Sequence, residues 1–166
     1  MKKLLTLVLI AMLALTSTAV LAESDAPANA AFEGTWVQFE DGFEVYLPSD
    51  WLVLDVTDEM IQSGVFYAVA SPDGARNMQV GWTEEAGAED ANAVKAELEA
   101  TYTEVEVLNI NGIDFVTYFD AQNDSTGIVA LGVNGDMFVF NFYPASDEEF
   151  APIAVTIATS IRNTAA

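Results

Sequence analysis

Twenty-six carboxylates, with no histidine and no cysteine, set the chemistry open to this 166-residue chain. Zinc, copper and haem sites draw on imidazole and thiolate ligands, and serine or cysteine nucleophiles use histidine as their base, so those mechanisms are excluded. A Ser–Lys dyad would fall to Lys95, because the other lysines are Lys2 and Lys3 at the very start. Asn92 rather than serine stands three residues before it. Lys95 instead has Glu99 one helical turn away and Glu97 close by, the spacing of a surface ion pair.

Carboxylates alone support acid–base hydrolysis when two of them lie about 5 to 9.5 Å apart and a pocket shifts the pKa of one. Asp124-Ser125-Thr126-Gly127 approaches the Asp-Thr-Gly of aspartic proteases, but Ser125 interrupts it and no second copy exists. Its residue types are those of a loop between strands. Calcium is the metal that an oxygen-only inventory favours, and Asp120-Ala121-Gln122-Asn123-Asp124 offers oxygens at alternate positions. Ser125 stands where an EF-hand loop needs glycine, and Leu131 occupies the position of its bidentate glutamate. A polar hairpin loop is therefore expected, and no metal, cofactor or catalytic residue is assigned. Glu84-Glu85, Glu89-Asp90, Asp55 and Asp58-Glu59 read as solvated loops and first helical turns. Asn123-Asp124-Ser125 is a glycosylation sequon, relevant only in a host that uses it. Trp36, Trp51 and Trp82, with Phe39, Tyr46 and Tyr118, are either an aromatic platform for sugars or peptides or part of the core, and core packing is the expectation.

The N-terminus gives an address. Lys2 and Lys3 precede an apolar stretch, Leu4 to Leu15, and Val20-Leu21-Ala22 supplies small or apolar residues for a signal peptidase. Cleavage after Ala22 is expected, with an uncleaved anchor as the rival, since Leu4 to Ala22 is nearly long enough to span a bilayer. Lacking cysteine, the cut carries no lipoprotein anchor, and the product is expected to be secreted. Beyond the signal only Arg76, Lys95 and Arg162 oppose the 26 acids, so the exported chain carries a net charge of −23. Such a surface repels phosphate backbones and anionic headgroups, which argues against nucleic-acid and peripheral membrane binding and leaves a protein or cationic partner.

Periodicity supplies the elements that would position these side chains. Residues 23–31 read as a flexible leader and 32–166 as a single α+β domain whose stability, without disulfides, rests on packing. Turn signals at Glu40-Asp41-Gly42, Pro72-Asp73-Gly74, Asn111-Gly112 and Asn134-Gly135 each predict a hairpin. Strands are expected at Thr35–Phe39, Phe43–Leu47, Val65–Ala70 and Met78–Trp82. A meander follows, over Val105–Ile110, Ile113–Phe119, Ile128–Val133 and Met137–Tyr143. The last of these is apolar on both faces at its start, so something must cover both. Two helices are expected to cover the mainly antiparallel sheet. One, over Asp90–Tyr102, presents Ala91, Val94, Leu98 and Tyr102. The other opens on a Ser146-to-Glu149 capping box and presents Phe150, Ile153, Ala154, Ile157 and Ile161, with Arg162 near its negative end. A shorter helical turn is expected around Thr57–Gln62.

Phe43-Glu44-Val45-Tyr46-Leu47-Pro48-Ser49-Asp50-Trp51 is an alternating strand closed by Pro-x-x-Trp. With the late Asn-Gly hairpin and a terminal helix ending in Thr159-Ser160-Ile161, it resembles the PsbP-like and DcrB-like exported domains over most of Thr35 to Arg162. The resemblance implies an antiparallel sheet with packed helices and brings no catalytic motif; members serve as photosystem subunits, import-factor partners and exported proteins of other kinds. Fold alone does not give function. The expectation is a non-enzymatic exported binding or protein-interaction domain, with a carboxylate-dependent extracellular hydrolase or a calcium-stabilised domain as alternatives.

Overall fold

The computed structural model describes residues 26–39, 42–83, 88–132 and 136–164. The expected signal at 1–22, the start of the leader, Glu40-Asp41, Glu84-Glu85 and Asn134-Gly135 lie outside the described residues. In chain order the elements are β1 (Gly34–Phe39), β2 (Phe43–Pro48), β3 (Leu52–Val53), α1 (Asp58–Gln62), β4 (Val65–Ala70), β5 (Asn77–Thr83), α2 (Ala91–Leu98), β6 (Thr103–Ile110), β7 (Ile113–Asp120), β8 (Ser125–Leu131), β9 (Met137–Tyr143), α3 (Ala151–Ser160) and β10 (Arg162–Asn163). The architecture is α+β with antiparallel sheets. The strands form two of these, one with order β1-β2-β10 and one of seven strands with order β3-β4-β5-β9-β8-β7-β6. Contacts group the chain into two compact units, the first holding β1, β2, α3 and β10 and the second running from Trp51 to Ser146.

This corrects the expectation of one sheet: there are two among the described residues, while the short helical turn expected around Thr57–Gln62 is present as α1. In the first unit β2 pairs along its length with β1 on one side and, at Glu44 and Phe43, with Arg162–Asn163 on the other. Residues Val45 to Pro48 are buried on both faces of that strand, and α3 lies against it. The helix hydroxyls join it to the rest of the unit. Ser160 Oγ accepts the Tyr46 N–H at 2.9 Å and donates to the Ile157 carbonyl. Thr156 Oγ1 accepts the Ala31 N–H and donates to the Pro152 carbonyl. A hydroxyl bonded back to its own helix is still a strong acceptor for a strand amide, so both groups are satisfied in a buried place.

The start of α3 also differs from the expected capping box. Ser146 donates its hydroxyl to Asp124, and it is Asp147 Oδ1 that accepts the free N–H groups of Glu149 and Phe150. The helix begins at Ala151 with Pro152 in its first turn, a position where proline sacrifices no hydrogen bond. Arg162, expected at the helix end, instead belongs to β10, where it pairs with Glu44 and places its guanidinium 3.8 Å over the Trp36 ring.

In the second unit the meander β6 to β9 has the expected order, but β8 starts at Ser125: Ser125-Thr126-Gly127, expected as a loop, is strand because it pairs with Asp120-Phe119-Tyr118 of β7. Asn111 and Gly112 both take positive φ, 53° and 82°, in the β6–β7 turn. The hairpin β4–β5 is joined to it by β5 pairing with β9, from Asn77 opposite Tyr143 to Thr83 opposite Met137. Asp90 caps α2 by accepting the N–H groups of Asn92 and Ala93, and Thr57 caps α1 through Met60. Helix α2 is shorter than expected, ending at Leu98, yet its stripe holds. Ala91 and Val94 pack with Val105, Val116, Tyr118 and Val129, and Leu98, Tyr102, Met137 and Val139 flank them. That accounts for one face of β9. On the other face Phe138, Phe140 and Phe142 are buried.

Ser160→Ala tests the buried hydroxyl. It leaves the Tyr46 N–H without an acceptor and should cost about 1–3 kcal/mol in urea unfolding. The exposed Gln38→Ala should stay within about 0.5 kcal/mol.

Candidate binding surfaces

On the α2 side of the second unit's sheet, one row of residues crosses five strands. Tyr118 on β7 stands opposite Gly127 on β8, which stands opposite Asn141 on β9, then Gln79 on β5 and Ala68 on β4. Directly opposed residues share a face, so this row is continuous. The Tyr118 ring lies flat across Gly127, where a β-carbon would collide with it, and its hydroxyl donates to Asn141 Oδ1 at 2.8 Å. Tyr102, just beyond α2, stacks on the same ring with centroids 4.3 Å apart. Glycine is thus required at 127 by close approach.

The adjoining row holds Ala70, Asn77 and Tyr143, with Asp120 opposite Ser125 on the neighbouring strands. Burial raises the Tyr118 phenol well above its ordinary value, and Tyr102, Tyr143 and Asp120 nearby push the same way, against the hydrogen bond with Asn141. Burial also raises Tyr143, opposed by a hydrogen bond with Ser125. Both hydroxyls therefore stay protonated, and the strip is a surface of phenols and amides with the Asp120 carboxylate at its end. Asn77 Oδ1 is buried in it without a hydrogen-bond partner. A water or a ligand donor would satisfy that oxygen.

The Asp120-to-Asp124 loop is occupied with its own hydrogen bonds. Asp120 Oδ1 accepts the N–H groups of Gln122 and Asn123, and Oδ2 accepts the Asn123 side-chain amide. Slight burial raises Asp120, and those hydrogen bonds outweigh it and hold the carboxyl below its ordinary value. Asp124, at positive φ, takes the Ser146 hydroxyl. This is the polar turn that the residue types predict. Among the described residues no three acids lie close enough to hold a metal ion.

Every described Asp and Glu keeps solvent access. Asp73 is lowered, first by the Ser71 hydroxyl and then by the Ala75 N–H, whereas a general acid needs a raised value. Lys95 pairs with Glu99 at 3.6 Å, one of the two partners its helical spacing allows. The aromatic set separates as well. Phe39, Tyr46 and Tyr118 are buried, Trp36 lies under Arg162 in the first unit, and Trp51 and Trp82 belong to the second.

A different feature stands out, one that the sequence reading passed over. All of the exposed large apolar side chains among the described residues fall between Leu52 and Trp82: Leu52, Val53, Leu54, Ile61, Phe66 and Trp82. The first three are consecutive, with 56%, 68% and 40% of their surface open, and they form the end strand of the large sheet and the residue after it. Val53 lies opposite Val69, and the Leu54 N–H donates to the Ala68 carbonyl at 2.9 Å. Asp55, Asp58 and Glu59 follow immediately, all exposed. The signal was present in the sequence as the apolar run Trp51-Leu52-Val53-Leu54 between Asp50 and Asp55, without the alternation that marks a half-buried strand.

No protein-family model matches the chain, and no curated protein matches it. Among solved structures, a Bacteroides thetaiotaomicron protein is similar with a TM-score of 0.47 and 15% identity, over 73% of this chain. The chain spans 44% of that protein's length.

Tyr118 makes stability depend on alkaline pH. Its folded-state pKa lies above the ordinary 10.0, so the folded state holds the proton that the unfolded chain releases. The stabilisation is complete below about pH 10 and is lost as pH rises from there through the folded value. Urea midpoints measured from pH 8 to 11.5 should fall steeply at the alkaline end, and Tyr118→Phe should flatten that fall while lowering the midpoint at pH 8.

Proposed function

We propose that this protein is a non-enzymatic, exported interaction module that holds a macromolecular partner on the β3 side of its large sheet. The observation that carries the reading is Leu52-Val53-Leu54, three large apolar residues in succession left open on a strongly acidic protein. Runs of exposed apolar residues cost solubility and persist where they are used. The hydrolase alternative needs a carboxyl raised by burial, whereas the described carboxylates keep solvent access and Asp73 and Asp120 go down. The calcium alternative must compete with the hydrogen bonds that already fill Asp120. Export and kinship with the PsbP-like and DcrB-like domains are part of the same proposal, resting on residues 1–22 and on the strand closed by Pro48-x-x-Trp51.

Two experiments test it. N-terminal sequencing of protein recovered from the medium should begin at Glu23; recovery only from the membrane fraction with Met1 intact would remove secretion. A photo-crosslinking residue at position 53, introduced in the producing organism, should give a discrete adduct, and the same residue at the exposed Asn109 should not. Equal labelling at both positions, or turnover of a hydrolase substrate abolished by one carboxylate-to-amide change, would overturn the reading.

A further inference from the structure

The large sheet has two outer strands, and they are finished differently. On β6 the register shifts between Thr103 and Glu106, Glu104 takes a φ of 55°, and Glu104, Glu106 and Asn109 lie along the strand. Bulges and charges are how sheets stop a second chain from adding to an edge. On β3 the side chains are Leu52 and Val53, followed by Leu54. Because Leu54 donates its N–H to Ala68, the backbone groups of Leu52 and Leu54 turn toward β4. Val53, between them, turns its N–H and C=O away from the sheet. One edge is closed and the other presents a short apolar template.

We infer that β3 accepts an extended, cationic segment of another protein as an added antiparallel or parallel strand centred on Val53. This inference rests on the interaction-module reading above and names the partner's chemistry and its mode of attachment. Main-chain hydrogen bonds to Val53 supply registration; an apolar residue of the added strand covers Val53 on one face, and the aliphatic stems of the cationic residues beside it cover Leu52 and Leu54 on the other. Charge decides the occupant. A second copy paired on β3 would bring its own Asp55, Asp58 and Glu59 to the same edge, adding acids to acids. Only three basic residues exist outside the first 22 to offset them. Lysine or arginine flanking an apolar strand meets those acids instead, and the overall negative field speeds its approach.

The test uses fluorescein-labelled Lys-Val-Lys-Val-Lys-Val-Lys, the matching Glu-Val peptide, and the Lys-Val peptide N-methylated at its valines. N-methylation keeps the charge and removes donors needed for strand pairing. Fluorescence anisotropy with the purified protein should show saturable binding of the Lys-Val peptide, about tenfold or more weaker binding of the methylated one, and none of the Glu-Val peptide. Val53→Pro, which deletes the outward N–H, should weaken binding by a similar factor. If that variant melts early, the methylated peptide on the unaltered protein decides alone. Equal affinity of the methylated and plain peptides would overturn strand addition, and a discrete adduct at position 53 would then still uphold the interaction module. A dimer in sedimentation that Val53→Pro dissolves would give the edge to a second copy and overturn the cationic occupant.

Discussion

The pairing of β5 with β9 is the constraint on which the second unit depends. Seven consecutive residue pairs, from Asn77 with Tyr143 to Thr83 with Met137, join the β4–β5 hairpin to the meander. Antiparallel register has a period of two, so a slip of one residue would exchange every side chain between faces. In the observed register Met78 meets Phe142 and Val80 meets Phe140, all four buried, while Gln79 meets Asn141 on the opposite side. The burial of those four side chains, each worth about 1.5–3 kcal/mol, outweighs anything a slipped pairing could recover from the polar row. The hydrophobic pattern of these two strands therefore fixes which residues face α2.

The consequences follow across the sheet. Once Asn141 faces α2, Tyr118 can reach it only by lying over Gly127, and the lack of a side chain there is what admits the ring. Tyr102 then stacks on the outer face of that ring, which connects the end of α2 to the centre of the sheet. Each step uses the previous one, so the phenol–amide strip is a product of register rather than of any local motif. The two tyrosine hydroxyls stay protonated for the same reason, since burial in this arrangement penalises the phenolate.

What the sequence made legible was local. Asn111-Gly112 marks its hairpin because both residues must adopt positive φ, and Val65–Ala70 and Met137–Tyr143 are bounded where β-branched and aromatic residues stop. Thr57 and Asp90 mark helix starts because each carries an oxygen that takes free N–H groups. What stayed hidden was non-local. Nothing in Arg162-Asn163 announces a strand, since those residues are extended only because β2 offers an edge to them. The capping box expected at Ser146 does not form for a related reason: Asp124, distant in sequence, takes the serine hydroxyl, and Asp147 accepts the N–H groups of the turn that leads into α3. The division into two sheets was equally invisible, because partner choice between strands is set by edges that a linear pattern does not display.

The β3 triplet shows why an apolar residue means different things at the centre and at the rim. Val80 and Val53 are the same residue type in the same sheet, but Val80 has β4 and β9 on either side of its strand and Val53 has β4 on one side alone. Folding therefore removes Val80 from water completely and leaves Val53 with 68% of its surface open. Polar substitution at such a rim site costs the fold little, so burial within the folded chain is not what the apolar side chain at 53 serves. The net charge carries the cost of keeping it. Molecules of high like charge repel one another, and the acids that follow the triplet concentrate that repulsion where self-association would start. An apolar edge and an acidic surface are in that sense one device, in which the charge makes the exposed strand tolerable and selects the sign of what can cover it.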